Sequence, residues 1–485
     1  MTGRLNPLWI AALPLLALAG LLSSAPEQRL LSVLVSASVC ALAPWFLPQA
    51  RFRTEAYFSP VNVALALLHL KLVAVPICLM NFGYQNKILA LTPSHGSMEK
   101  AILIDTVAFI GFCIGLQLFS ERPVNPGRYS LLPALSGTPG RGFVVTFALL
   151  GLAGLFLTFG SVGRFLEYFS DPAAVVDPQG SASIADFLGT VLRPFLAFAL
   201  VTWWAGVADE SRDTGNRWRP ALVGVAAAIG ITIANMTFSF NRGAFVFPVL
   251  SLVAVYSARI RRIPLGLTIA AVAVCVPLLL AVASFRSNSQ LAKVAPNATP
   301  ATSDFMSDLA ENVVVYCGGP QLTGVFYESL NWGDRLFGGV TLVSSVMSPV
   351  PILGKAFRED GGPIVYNKAI YGMSGIDDQI PPFASELFGN FHIAGVVTGF
   401  LGLAFLLATL ESWMDVVGST FGAFVLQYLA VWGAMLSVWS LSVYAQILFY
   451  FLGPVYFYLA VMQIRAWLRR APAPEVLTYT GVIAQ

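Results

Sequence analysis

Long apolar runs separated by short polar breaks fill most of the chain. About twelve can be marked, at roughly 8–24, 30–47, 61–80, 101–119, 142–160, 186–207, 221–238, 243–257, 263–284, 392–410, 415–435 and 442–464. A helix rises about 1.5 Å per residue, so roughly 20 apolar residues cross the hydrocarbon core of a bilayer. Each run therefore predicts a transmembrane helix, and the short run 243–257 is expected to tilt little. The first run follows Arg4 and resembles a signal peptide. No small-x-small cleavage site follows it and further spans come at once, so it reads as a retained first helix.

One break is unlike the others. From Arg286 to about Phe391 the chain runs for about a hundred residues without a clear span, a length that points to a functional loop. Inside it, the apolar piece Gly339–Leu353 is interrupted by Pro349 and Pro351. It is too short to span and predicts an amphipathic or re-entrant helix. Turn residues cluster at Gly318-Gly319-Pro320, Gly361-Gly362-Pro363 and Pro381-Pro382. The expected organisation is nine spans over 1–285, the loop over 286–391, three spans over 392–470 and a tail over 471–485.

Composition strengthens the membrane reading. Apolar residues make up 56% and charged residues 11%, against about 25% charged in soluble domains. The mean hydropathy is +0.73. The net charge of +3 and the lack of a dense basic run give no support to a nucleic-acid partner. Five cysteines form no CxxC or disulfide framework, and His69, His95 and His392 have no metal-ligand spacing. No metal or cofactor is expected. Charge placement sets the orientation: arginines at 51, 53, 122, 128, 141, 212, 217, 219, 259, 261 and 262 fall on one set of connections. The positive-inside rule makes that set cytoplasmic, with both termini cytoplasmic and the long loop outside.

Against this background a few polar groups stand out. Arg242, in the turn between the seventh and eighth runs, and Arg286, where the ninth leaves the membrane, lie at the outer interface. The guanidinium fork suits bidentate phosphate binding, and it equally anchors helix ends to lipid headgroups. Arg193 beside Pro194 and Lys71 near His69 fall inside spans. Intramembrane charges call for a partner or a function. Asp105 is a plausible partner for Lys71, and Arg193 suits a water-filled cavity reaching the outer face. The loop ends in Tyr371 to Gly395, which carries Asp377, Asp378, Glu386, Asn390 and His392. If a helix begins near Pro382, Glu386 and Asn390 share a face and His392 points elsewhere. Asp377-Asp378 reads as a metal-holding pair or a solvated turn.

These features together resemble bacterial oligosaccharide repeat-unit polymerases, the O-antigen polymerase (Wzy-type) family. The resemblance lies in about twelve spans, one large late outer loop, an Arg-Gly turn before it, and the text Glu386, Asn390, Phe391 and Gly395. His392 departs from it, standing where the family often has glycine. The resemblance implies an all-α helical membrane bundle, like the C-type glycosyltransferases, in a bacterial cytoplasmic membrane. It implies metal-independent polymerisation of undecaprenyl-pyrophosphate-linked repeat units into a surface polysaccharide, with a chain-length regulator as a possible partner. Arg242, Arg286 and Arg193 would hold the pyrophosphate. Glu386 or His392 would serve the acceptor hydroxyl, and Tyr371, Asp377, Asp378 and Asn390 would contact sugar. An O-antigen ligase uses the same kind of donor and stays open, as does a transporter or flippase of lipid-linked sugars.

Overall fold

The computed structural model describes residues 8–47, 58–83, 93–119, 131–170, 184–216, 218–238, 242–264, 266–267, 305–329, 336–350, 354–358, 360–371 and 381–470. All regular structure among them is helical. The main helices are α1 (Leu8–Ser23), α2 (Ser32–Phe46), α3 (Pro60–Phe82), α4 (His95–Phe119), α5 (Arg141–Phe159), α6 (Ile184–Leu192) and α7 (Pro194–Thr214). Then come α8 (Trp218–Met236), α9 (Arg242–Arg259), α10 (Phe305–Tyr316), α11 (Pro320–Ser329), α12 (Val340–Met347) and α13 (Gly362–Tyr371). Last are α14 (Phe383–Val416), α15 (Thr420–Met435), α16 (Leu441–Phe451) and α17 (Gly453–Arg470).

Six of these segments are long and apolar enough to cross a membrane, counting Phe187–Arg212 as one, or seven if α16 and α17, bent by 51°, form one span. Helices α2, α9 and α15 and the stretch Ala12–Ser23 of α1 are apolar but shorter. Large side chains such as Leu149, Phe156 and Leu222 point outward, 63–70% exposed. Such outward apolar faces are stable where lipid is the solvent. The chain is a helical membrane protein.

At the centre α4 packs along α14. Between α6 and α7 the helix breaks at Arg193, and Pro194 restarts it at a position where its missing N–H costs nothing. Helix α5 approaches that break through Gly154, where a methyl group would sit 2.6 Å from the Arg193 nitrogen.

Lys71 and Asp105 pair as the sequence suggested, at 2.8 Å and with side chains 1% and 3% exposed. Lys71 lies in a π-helical turn, Leu70–Ala74, and Ser36 donates a hydrogen bond to the Leu72 carbonyl of that turn at 2.8 Å.

Helix ends are capped from distant elements. The Arg259 guanidinium donates to the carbonyls of Met414 (2.8 Å), Val417 (2.6 Å), Gly418 (3.1 Å) and Ser419 (2.9 Å), where α14 ends. Asp209 accepts from the Thr420 N–H (3.2 Å) and hydroxyl and from the Thr138 hydroxyl, so it caps the start of α15. Glu99 does the same for α2, accepting from the Leu31 and Ser32 N–H groups at 2.6 and 2.7 Å.

Two outcomes follow. Arg259→Gln orphans several carbonyls, each costing about 1–3 kcal/mol. It should lower the melting temperature in detergent clearly, whereas Arg219→Gln, which loses only an exposed contact with Glu210, should leave it nearly unchanged. For the buried pair, Lys71→Met or Asp105→Leu alone should destabilise by about 3–5 kcal/mol, and the double replacement by much less. A double-mutant cycle measures this; additive losses would show that the two charges do not interact.

Candidate functional site

Helix α14 begins at Phe383, with Pro382 as its N-cap residue. It is broken once, at Phe391 (φ −140°, ψ 16°) and His392 (φ 58°, ψ −154°). Every residue from Phe383 to Asn390 is buried, while Phe391 to Ala394 are exposed. The break thus separates a buried half-helix from the long apolar helix that follows.

The polar groups of the half-helix are all engaged. Glu386 is 4% exposed. Its carboxylate accepts from the Leu441 N–H, the first of α16, at 2.9 Å, and from the Ser345 hydroxyl of α12 at 3.4 Å. Gly362, which opens α13, lies against the same carboxylate so closely that any Cβ would collide with Oε1. Its N–H donates to the Ser345 hydroxyl at 3.2 Å. One carboxylate thereby gathers α12, α13 and α16. No cationic side chain pairs with it among the described residues.

Asn390, one turn on, donates to the Thr341 hydroxyl (2.6 Å) and the Glu386 carbonyl (2.7 Å) and accepts from the Gly339 N–H (2.9 Å). Ser385 shares a hydrogen bond with Thr323 of α11 at 2.8 Å. Tyr366 donates to the Leu322 carbonyl.

The apolar loop piece expected to form an amphipathic or re-entrant helix is α12, and its faces are reversed. Thr341, Ser344 and Ser345 point inward, while Val340, Val343 and Val346 are exposed. Its polar side serves Glu386 and Asn390.

His392 stands outside this network. It is exposed, with its ring 4.5 Å from that of Phe388. It is the one non-glycine residue with positive φ among the described residues. Arg193, expected to face a water-filled cavity, is enclosed at 8% exposure. It donates to the Thr237 carbonyl at 2.7 Å, beyond the end of α8, and to the Thr190 hydroxyl at 3.3 Å. Its guanidinium lies 4.2 Å over the Phe238 ring. Its Nε has no acceptor, and no carboxylate pairs with it among the described residues. Arg242 opens α9 and Tyr371 closes α13, but their side chains lie outside the described residues, as do Arg286, Asp377 and Asp378 entirely.

Sequence reasoning missed Ser345, Thr341 and Gly362. The Gly361-Gly362-Pro363 turn was the only hint of the third. No group of three or more His, Cys, Asp or Glu able to hold a metal occurs among the described residues. Burial pushes the Cys317 thiol up to about 11, which makes it a poor nucleophile.

Helix α11 is fastened to the start of α4 by Glu328, which accepts from the Ser94 N–H at 2.6 Å. Partial burial opposes the charged form, but hydrogen bonds from Ser94 and Ser97 outweigh it and hold the carboxyl below the usual range. A depressed carboxyl stabilises the fold above its unfolded pKa, and that contribution disappears as pH falls through the folded value. The melting difference between wild type and Glu328→Gln should therefore be full well above the usual glutamate pKa of about 4.3 and shrink as the pH falls below it. A difference that grew on acidification would disprove the docking role.

In comparisons with known protein families, curated proteins and solved structures, nothing matches the chain.

Proposed function

We propose that this protein is a membrane glycosyltransferase that polymerises undecaprenyl-pyrophosphate-linked oligosaccharide repeat units at the outer face of a bacterial cytoplasmic membrane. The observation that carries the reading is the broken α14. Its buried half sets Glu386 and Asn390 in a polar layer built by the loop helices, and the break opens outward at His392. That is the polar loop end to which the family resemblance also points.

In this reading the chain spans the membrane about twelve times, with both termini cytoplasmic and residues 286–391 outside. The six long helices, the bent pair and the four shorter apolar ones correspond to eleven of the apolar runs. The twelfth, 263–284, lies largely outside the described residues. Arg242 and Arg286 take the pyrophosphate charge, with the buried guanidinium of Arg193 close to the turn that leads to Arg242. The acceptor hydroxyl is served by Glu386 or His392. Fixed arginine donors stabilise a leaving pyrophosphate in a partly desolvated site.

A second reading, movement of lipid-linked sugars across the bilayer, is favoured by one observation. The Lys71–Asp105 pair sits within two apolar helices at a π-helical turn, and such sites often serve transport.

Deleting the gene separates the possibilities. A polymerase loss leaves surface glycans carrying a single repeat, whereas a ligase loss leaves long polymer on the lipid carrier. With purified protein and a lipid-linked repeat unit, Arg242→Lys and Arg286→Lys should each lower polymer formation about 10²–10³-fold, because lysine keeps the charge but not the fork. Near wild-type rates in both would remove the pyrophosphate assignment. Leaflet transfer in vesicles without polymer formation would favour the transport reading.

A further inference from the structure

The backbone at His392 is the starting point. A φ of 58° with a ψ of −154° belongs to a region that glycine enters freely and that a Cβ disfavours. The position asks for glycine and holds histidine. Strain of this kind persists only where the surroundings over-determine it, and it concentrates at functional sites.

The surroundings do over-determine it here. On one side, the half-helix is pinned by the bonds of Asn390 to Thr341 and Gly339 and by the Phe337 N–H to the Gly389 carbonyl at 3.1 Å. On the other, α14 continues for 24 residues after His392, packed along α4. Gly395 lets the chain fold back tightly, since a Cβ there would lie 2.6 Å from that of Phe391. None of these contacts needs an imidazole. A glycine would satisfy the backbone geometry at lower strain, so the backbone does not account for the side chain that is present.

The two candidates for the acceptor hydroxyl also differ in access. Glu386 is enclosed, and its oxygens are engaged by Leu441, Ser345 and the close approach of Gly362. His392 is exposed, at the mouth of the break, with Phe388 against its ring.

We infer that His392 is the group that contacts the acceptor sugar and takes its proton, and that Glu386 is a positioning residue that holds α12, α13 and α16 around the break. The inference rests on the glycosyltransferase reading above. In the step, the acceptor hydroxyl oxygen forms a bond to the anomeric carbon of the donor chain, and its proton passes to the imidazole. The bond between that carbon and the pyrophosphate oxygen breaks, and its electron pair leaves with undecaprenyl pyrophosphate. The imidazolium then releases the proton to water.

The test uses the full-length protein in detergent with a lipid-linked repeat unit. His392→Gly should melt at or above the wild-type temperature and lose at least about 100-fold in polymer formation, within the range usual for loss of a general base. Added imidazole should restore part of that activity to His392→Gly, where the side chain has been vacated. Glu386→Gln should melt lower and turn over more slowly, with no gain from added imidazole. A His392→Gly variant with near wild-type activity overturns the assignment. So does a Glu386→Gln variant that melts as the wild type does and loses at least about 100-fold in activity, which would make Glu386 the base. A His392→Gly variant melting well below wild type overturns the strain argument. If the wild type itself makes no polymer, the glycosyltransferase reading fails and this assignment fails with it; an active wild type with an active His392→Gly overturns the assignment alone.

Discussion

Every helix end leaves amides or carbonyls with no partner inside the helix, and this protein answers several of them with its scarce charges. Glu99 sits on the start of α2, Glu328 on the start of α4, Asp209 on α15 and Glu386 on α16. Arg259 collects the end of α14 and Arg193 the end of α8. For Glu99, Glu328, Asp209 and the two arginines the sign complements the helix dipole, anion at the N-terminus and cation at the C-terminus. Each cap also comes from another element, so the bond that satisfies a helix end fixes where a second helix lies. A charged hydrogen bond in such a place contributes about 1.5–3 kcal/mol, well above an exposed ion pair. The pair Lys71–Asp105 is the exception, two charges that satisfy each other within the bundle.

The polar layer around Glu386 grows from the same demand. Capping α16 with a carboxylate requires a buried carboxylate, and a buried carboxylate requires donors of its own. Helix α12 supplies a hydroxyl by turning its Ser and Thr side inward, which leaves three valines facing outward. The loop helices are thus packed onto the helical body, and the break at His392 is held between them and α4.

Much of the architecture was legible in the sequence. Apolar runs of span length marked the helices, and the isolated charges Lys71 and Asp105, each within such a run, could be matched as a pair. Pro382 marked the start of α14, and the i, i+4 spacing of Glu386 and Asn390 anticipated their shared face. The caps were not legible. Arg259 and Met414, or Asp209 and Thr420, have no fixed spacing, because their bonds depend on how distant helices pack. The use of Thr138 as a donor to Asp209 has no local signature. The inward face of α12 was hidden by the assumption that apolar residues point to the core. The conformation of His392 had one hint, the glycine expected there from the family resemblance, but a histidine gives no sign of a positive φ.

Caps supplied from afar also order the protein in time. The Ser94 amide at the start of α4 waits for Glu328, 234 residues later in the chain. Ribosomes add roughly 5–20 residues each second, so the interval is about 12–47 s. Throughout it, α4 must stand in the translocation machinery or the bilayer with its first turn served by headgroups, water or another protein. The acidic partner of α2, by contrast, follows within 68 residues. Helix α2 can therefore settle early, while the start of α4 stays accessible until α11 has been made. Biogenesis of this bundle has a built-in late step, and the age of a nascent chain can be read from whether that end is still open.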